Sequence, residues 1–136
     1  MASTPVNLPF GGDFALGQIG QVSLRAVNVA RAVRFYHDVL RLPLAFQTET
    51  MAFFMAGEVR LLLALPESPE FDHASSVLYF SVPNIRAAYQ ALAERGVRFP
   101  QPPHRVAVLS TGELWMAFFR DSENNLLALM SEQPAP

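Results

Sequence analysis

The side chains of this 136-residue chain that could do chemistry are few. His37, His73 and His104 are its three imidazoles, and it has no cysteine. Without a thiol there are no disulfides, thiolate metal sites or cysteine nucleophiles, which suits a reducing cytoplasm. What remains is imidazole, carboxylate and guanidinium chemistry. His104 closes a proline-rich link, Pro100 to His104, and Glu113 lies at a turn before Trp115. If both fold over the mouth of a pocket they can act as general acid and base; otherwise they are ordinary loop residues. His73 stands beside Glu70 and Asp72 in what reads as a solvated acidic loop, and His37 among polar neighbours on a helix. Arg25 alternates with Gln21 and Ser23 on one face of a strand. A guanidinium there meets an anionic or carbonyl group of a ligand, or else forms a salt bridge at a rim.

These residues must be positioned by elements that the pattern of apolar residues locates. Ile19 to Val27 alternates as a strand, Asn28 is an N-cap, and Val29, Ala32, Val33, Tyr36 and Leu40 recur at helical spacing. The helix is expected to stop around Leu42, because Pro43 disfavours a helical residue before it. Strands are expected at Leu44 to Thr48, Met51 to Ala56 and Val59 to Leu65. Pro66 to Ala74 is a linker rich in proline and acid, after which the pattern begins again. Subtracting 56 from Leu78, Phe80, Asn84, Ile85, Ala88, Tyr89 and Leu92 gives Val22, Leu24, Asn28, Val29, Ala32, Val33 and Tyr36. Strand, cap and helix all repeat in register, so the chain is a duplication. The second copy runs from a strand at Val77 to Val82 through a helix ending at Gly96. Strands at Val97 to Phe99, Arg105 to Leu109 and Leu114 to Arg120 follow, and a last hairpin closes it.

That hairpin runs from Phe118 to Glu132. Asp121 and Ser122 can bond their own backbone, and Asn124 suits the left-handed position that closes a three-residue loop. With Ser122 to Asn124 as the loop, Phe118 lies opposite Ala128 and Met116 opposite Met130. A one-residue bulge would exchange the faces.

The balance of charge narrows the partners. Ten basic and twelve acidic residues, scattered singly, sum to −2. No basic stripe follows a phosphate backbone, so no nucleic acid is expected. No apolar run approaches the roughly 20 residues of a membrane span, and Met1 to Asp13 lacks the features of a signal peptide. With Pro5, Pro9, Gly11 and Gly12, that segment reads as an arm or interface strap.

The closing hairpin resembles that of the vicinal oxygen chelate superfamily, the glyoxalases, bleomycin-resistance proteins and extradiol dioxygenases. Their usual wording is a phenylalanine-rich strand, Asp-Pro-Asp/Glu-Gly-Asn, then a leucine-rich strand; here Ser122 replaces the proline and Asn124 the glycine. Arg31 to Tyr36, followed by Val39 to Leu44, also resembles the family's first helix. The resemblance implies an α+β fold of two tandem βαβββ modules, with mixed sheets curled around a shared cup and helices outside. The expected organisation is an arm at 1–16, modules at 17–66 and 75–132 around a linker at 67–74, and a tail at 133–136. It also implies four metal-ligand positions. These fall on Gln21, on one of Leu61, Leu62 and Leu63, on Val77 and on Ala128, at most one weak donor among four.

The implied cup is lined by Gln21, Ser23, Arg25, Val77, Tyr79 and Ser81, with Met116, Phe118, Leu126, Ala128 and Met130 from the hairpin. Apolar walls with a few polar groups suit a small planar or amphipathic molecule. The expectation is a cytoplasmic homodimer that binds such a molecule without metal or other cofactor. The alternatives are an enzyme of the glyoxalase or dioxygenase kind with unconventional ligands, and a subunit whose cup is filled by its own side chains.

Overall fold

The structure, a computed structural model, describes residues 14–134. Strand β1 (Gln21–Arg25) is shorter than the apolar alternation suggested. Asn28 then caps α1 (Val29–Arg34), its Oδ1 accepting the Arg31 N–H at 3.0 Å. The helix widens into a π-helical turn at Phe35–Val39, and Arg41, at φ 59°, turns the chain out before Pro43. Strands β2 (Leu44–Gln47), β3 (Met51–Ala56) and β4 (Val59–Ala64) follow. Gly57 supplies the positive φ (62°) for the tight turn between β3 and β4. The sheet order is β1-β4-β3-β2, with β1 parallel to β4.

The second half repeats this plan. It comprises β5 (Leu78–Ser81), α2 (Ile85–Glu94), β6 (His104–Leu109), β7 (Gly112–Arg120) and β8 (Leu126–Gln133). Asn84 Oδ1 accepts the Ala87 N–H at 3.1 Å, the counterpart of the Asn28 cap. The order is β5-β8-β7-β6, with β5 parallel to β8. The two-module α+β architecture is therefore present. The strand expected at Val97 to Phe99 does not form. Val97 N–H instead donates to Leu92 O at 2.9 Å, closing the helix end, and the Phe99 ring packs on Tyr89 and Phe119. Burying that ring against the helix outweighs a short ladder. Strand β8 continues through Gln133, where a tail was expected. The expected arm lies outside the described residues except for its exposed end, which includes Phe14 and Leu16. Among the described residues no helix is long and apolar enough to cross a membrane.

Alternation along each strand sends one row of side chains toward the helices. Leu24, Tyr36, Phe54 and Leu63 of the first half and Ile85, Leu92, Phe119 and Leu127 of the second join in a single buried cluster. Each such side chain contributes about 1.5–3 kcal/mol by leaving water.

The halves are also joined by polar groups of the β7–β8 turn. The register is Phe118 opposite Ala128 and Met116 opposite Met130, with Asn124 left-handed at φ 68°. Asp121 Oδ1 accepts the N–H groups of Glu123 (2.8 Å) and Asn125 (2.7 Å), while Oδ2 accepts the buried Tyr36 hydroxyl at 2.6 Å. Burial, followed by the Asp121 charge, raises the Tyr36 pKa well above its ordinary value, so the phenol stays a donor. Glu123 reaches back to the first half. Its carboxylate accepts the N–H groups of Val27 and Asn28, both at 2.7 Å, and Arg31 Nε at 2.8 Å. Asn125 Nδ2 donates to Arg25 O at 2.9 Å. At the far end of the helices, Arg95 Nη1 donates to Val39 O at 2.8 Å.

Burial alone would raise the Glu123 pKa. Hydrogen bonds from Arg31, the Asn28 N–H, Ser122 and the Val27 N–H outweigh it and bring the value to about 2. A depressed carboxylate stabilises the fold above its unfolded pKa and loses that contribution as pH falls toward its folded pKa. Glu123→Gln should therefore destabilise the protein by about 2–4 kcal/mol at pH 7. The gap from wild type should close between pH 4.5 and about 2. Urea titrations across that range test this, and a gap independent of pH would refute the ionised latch.

Candidate functional site

Away from the helices, each sheet presents its other row of side chains. In the first sheet, Ser23 pairs with Leu62, which pairs with Phe53, and Arg25 pairs with Ala64, which pairs with Met51. The linker lies over this row and encloses a cavity of about 280 Å³. Its floor is Gln21, Ser23, Leu62 and Ala64; its far side is linker, including Glu67, Phe71 and His73. Because β1 is an edge strand, Arg25 N–H is free to donate to Ser75 Oγ at 2.9 Å, and its Nε meets Asp72 Oδ1 at 2.5 Å. Gln21 Oε1 accepts from Arg60 Nε at 2.8 Å, and the Arg60 guanidinium stacks 4.6 Å from the Phe53 ring centre.

In the second sheet, the corresponding row contains Tyr79, Phe118 and Ala128 in one rank, and His104, Met116 and Met130 in the next. Tyr79 meets Phe118 edge to face at 6.0 Å, and the His104 ring lies 6.5 Å from Phe118. Gln21, Ser23 and Arg25 thus share one face, and Tyr79, Met116, Phe118 and Met130 share another. The two faces do not line one chamber: no residue of β5, β7 or β8 borders the 280 Å³ cavity. Contacts between the halves run through the hairpin turn and the helix-side core, and the linker takes the place on the first sheet where the second was expected.

His104 and Glu113 are not brought together. His104 pairs with Met116 on the exposed row, whereas Glu113 belongs to the row of Trp115 and Ala117, on the opposite side of β7. Glu113 instead accepts Trp115 Nε1 at 3.2 Å and Arg105 Nη1 at 3.1 Å, and these bonds, in that order, lower its pKa. A carboxylate held ionised by fixed donors is a structural group rather than a base for His104 to work with. His73 Nδ1 lies 2.9 Å from Ala74 O, at the rim of the Arg25 cavity. The contribution of the linker to the site had no periodic signal in the sequence; an aromatic, Phe71, among acids was its one visible trace.

The four family metal positions can be tested against the side chains that occupy them. The β1–β4 register selects Leu62 from the three leucines, because Leu61 and Leu63 are buried in the core. The set is then Gln21, Leu62, Val77 and Ala128. Three are hydrocarbon, and the Gln21 oxygen already accepts from Arg60. This set does not fit a divalent ion, which needs oxygen, nitrogen or thiolate donors.

Ala128 is 0% exposed, in register between Tyr79 and Phe118. Ala128→Glu should cost about 1–4 kcal/mol from crowding and carboxyl burial. A buried carboxyl has a folded pKa above its unfolded one, so the penalty should grow as pH rises past about 4.3. Thermal melts between pH 4 and 8 provide the check. Melting equal to wild type throughout would mean that position 128 is open to solvent.

Comparison with known proteins agrees with this architecture. Residues 18–130 match the model of the Glyoxalase/Bleomycin resistance protein/Dioxygenase superfamily. The uncharacterised protein YraH of Bacillus subtilis (strain 168) is 29% identical over 123 residues, covering 80% of this chain and 94% of YraH. A virulence protein from Salmonella typhimurium has the same fold, with a TM-score of 0.73 at 18% identity over 88% of this chain and all of that one. So does a lactoylglutathione lyase from Agrobacterium tumefaciens, with a TM-score of 0.69 at 18% identity over 85% of this chain and 94% of that one. The duplication, the paired mixed sheets and the family match converge: this chain belongs to the Glyoxalase/Bleomycin resistance protein/Dioxygenase superfamily.

Proposed function

We propose that this protein is a cytoplasmic binding protein that holds a small amphipathic or planar molecule against the exposed faces of its sheets without the family metal. The observation that carries this reading is the fate of the four metal positions. Gln21 is engaged by Arg60, and Leu62, Val77 and Ala128 have no donor atom. Around them the faces keep the composition of a ligand site: Leu62, Met51, Phe118, Met116 and Met130 with Ser23, Arg25 and Tyr79 at intervals. Apolar area supplies affinity in such a site, and the few polar groups set orientation.

The functional unit in this reading is a homodimer. On these faces each chain exposes large apolar side chains, among them Phe46 of the first sheet and Tyr79 of the second. Setting the first sheet of one copy against the second sheet of another would cover them and complete a cup of the kind that one chain leaves open. Light scattering at micromolar concentration should report twice the 15.0 kDa chain mass; a monomer would sink the dimer.

Protein purified without chelators should contain far less than one equivalent of Fe, Mn, Ni or Zn by elemental analysis. It should still bind an environment-sensitive aromatic dye, with a Kd that EDTA leaves unchanged. Near-equimolar metal, lost to EDTA together with dye binding, would instead favour a metal-dependent glyoxalase- or dioxygenase-type enzyme with unconventional ligands.

A further inference from the structure

The linker sets a carboxylate of its own, Asp72, on Arg25, at the wall between the 280 Å³ cavity and a second one that Asp72 borders. Asp72 Oδ1 sits 2.5 Å from Arg25 Nε, and the Ser75 hydroxyl accepts the Arg25 N–H. Between Pro66 and Ala74 the linker contains only a 3-10 turn, Pro69–Phe71, so no sheet or long helix holds it in place. The Arg25 and Asp72 side chains remain 35% and 52% exposed, and ion pairs so exposed to water contribute little net stability. Arg25 also forms part of the wall between the 280 Å³ cavity and a second, of about 320 Å³, bordered by Asp72, His73, Arg120 and Asn125.

We propose that Asp72 occupies the place of a ligand carboxylate, so that the protein binds small aromatic monocarboxylates and the linker gives way when they enter. This rests on the reading of the faces as a ligand site and names the class of ligand. The carboxylate takes over Arg25 Nε from Asp72. The ring lies on Leu62, Ala64 and Met51 beneath Phe71, all of which border the cavity. A guanidinium binds a carboxylate through directed N–H donors, which an alcohol or amide of the same shape does not match. Glu67 borders the same cavity and repels a second negative charge, which favours monoanions over dianions. Exchanging one exposed carboxylate for another at Arg25 is nearly balanced, so the buried ring supplies the net affinity.

Isothermal titration of the full-length protein with 1-naphthoate and with the neutral 1-naphthalenemethanol tests this. Wild type is compared with Asp72→Asn, with Arg25→Gln and with Glu70→Gln, which removes a neighbouring charge. Naphthoate should bind Asp72→Asn about three- to tenfold more tightly than wild type, bind Arg25→Gln more weakly, and bind Glu70→Gln unchanged. The alcohol should respond to none of the three. Naphthoate affinity equal in wild type and Asp72→Asn overturns the inference while leaving the ligand site intact. Equal tightening of both compounds in Asp72→Asn also overturns it, because the linker would then be a lid with no preference for charge. If neither compound binds any variant, the ligand-site reading fails with it.

Discussion

The structure depends on one buried carboxylate that bridges the two halves of a duplicated chain. Glu123, at the tip of the last hairpin, takes the N–H groups of Val27 and Asn28 and the guanidinium of Arg31, three donors supplied by the other half. A buried charge is tolerable only when its acceptor sites are filled by donors fixed in place. Asp121 fixes the turn that presents it, and it is anchored in turn by the Tyr36 hydroxyl from the first module. Five residues of turn therefore tie the start of the first helix to the end of the last sheet. That attachment sets how the two modules sit, and through them where every exposed row of side chains points.

One consequence concerns where the apolar surface goes. The helix-facing rows of both sheets, Leu24 and Leu63 on one and Phe119 and Leu127 on the other, merge into one core. Among the described residues the opposite rows find no such partner. The first is roofed by the linker, and the second keeps Tyr79 47% exposed. A duplicated chain that spends one face of each sheet on internal cohesion leaves the other outside the shared core.

The family membership and the hydrocarbon side chains at three of the four expected ligand positions are compatible because they rest on different atoms. The fold is carried by backbone register, caps and the core rows, all of which repeat from one half to the other: Asn28 with Asn84, Val22 with Leu78, Ala32 with Ala88. The ligand positions lie on the other rows, outside the helix-side core. A leucine or alanine there leaves the fold intact and offers a metal no donor atom.

The sequence by itself determined the two βαβββ modules, both asparagine caps and the register of the closing hairpin. Each of these follows from local rules: alternation, helical spacing, N-cap chemistry and the left-handed preference of Asn124. It also showed that three of the four positions the resemblance assigns to metal ligands have no donor, since Leu, Val and Ala cannot coordinate in any conformation. Only the tertiary structure decided what meets what across long separations. Asp121 and Glu123 read locally as turn-formers, yet Asp121 also holds the Tyr36 hydroxyl, 85 residues away, and Glu123 the Val27 N–H, 96 residues away. Glu113 and His104, near one another in the chain, lie on opposite sides of a strand, because a one-residue difference in parity reverses direction in a sheet. The linker carried no periodicity from which its position over Arg25 could be read. Its place follows from the free edge of β1, which exists only once the strands have been ordered in space.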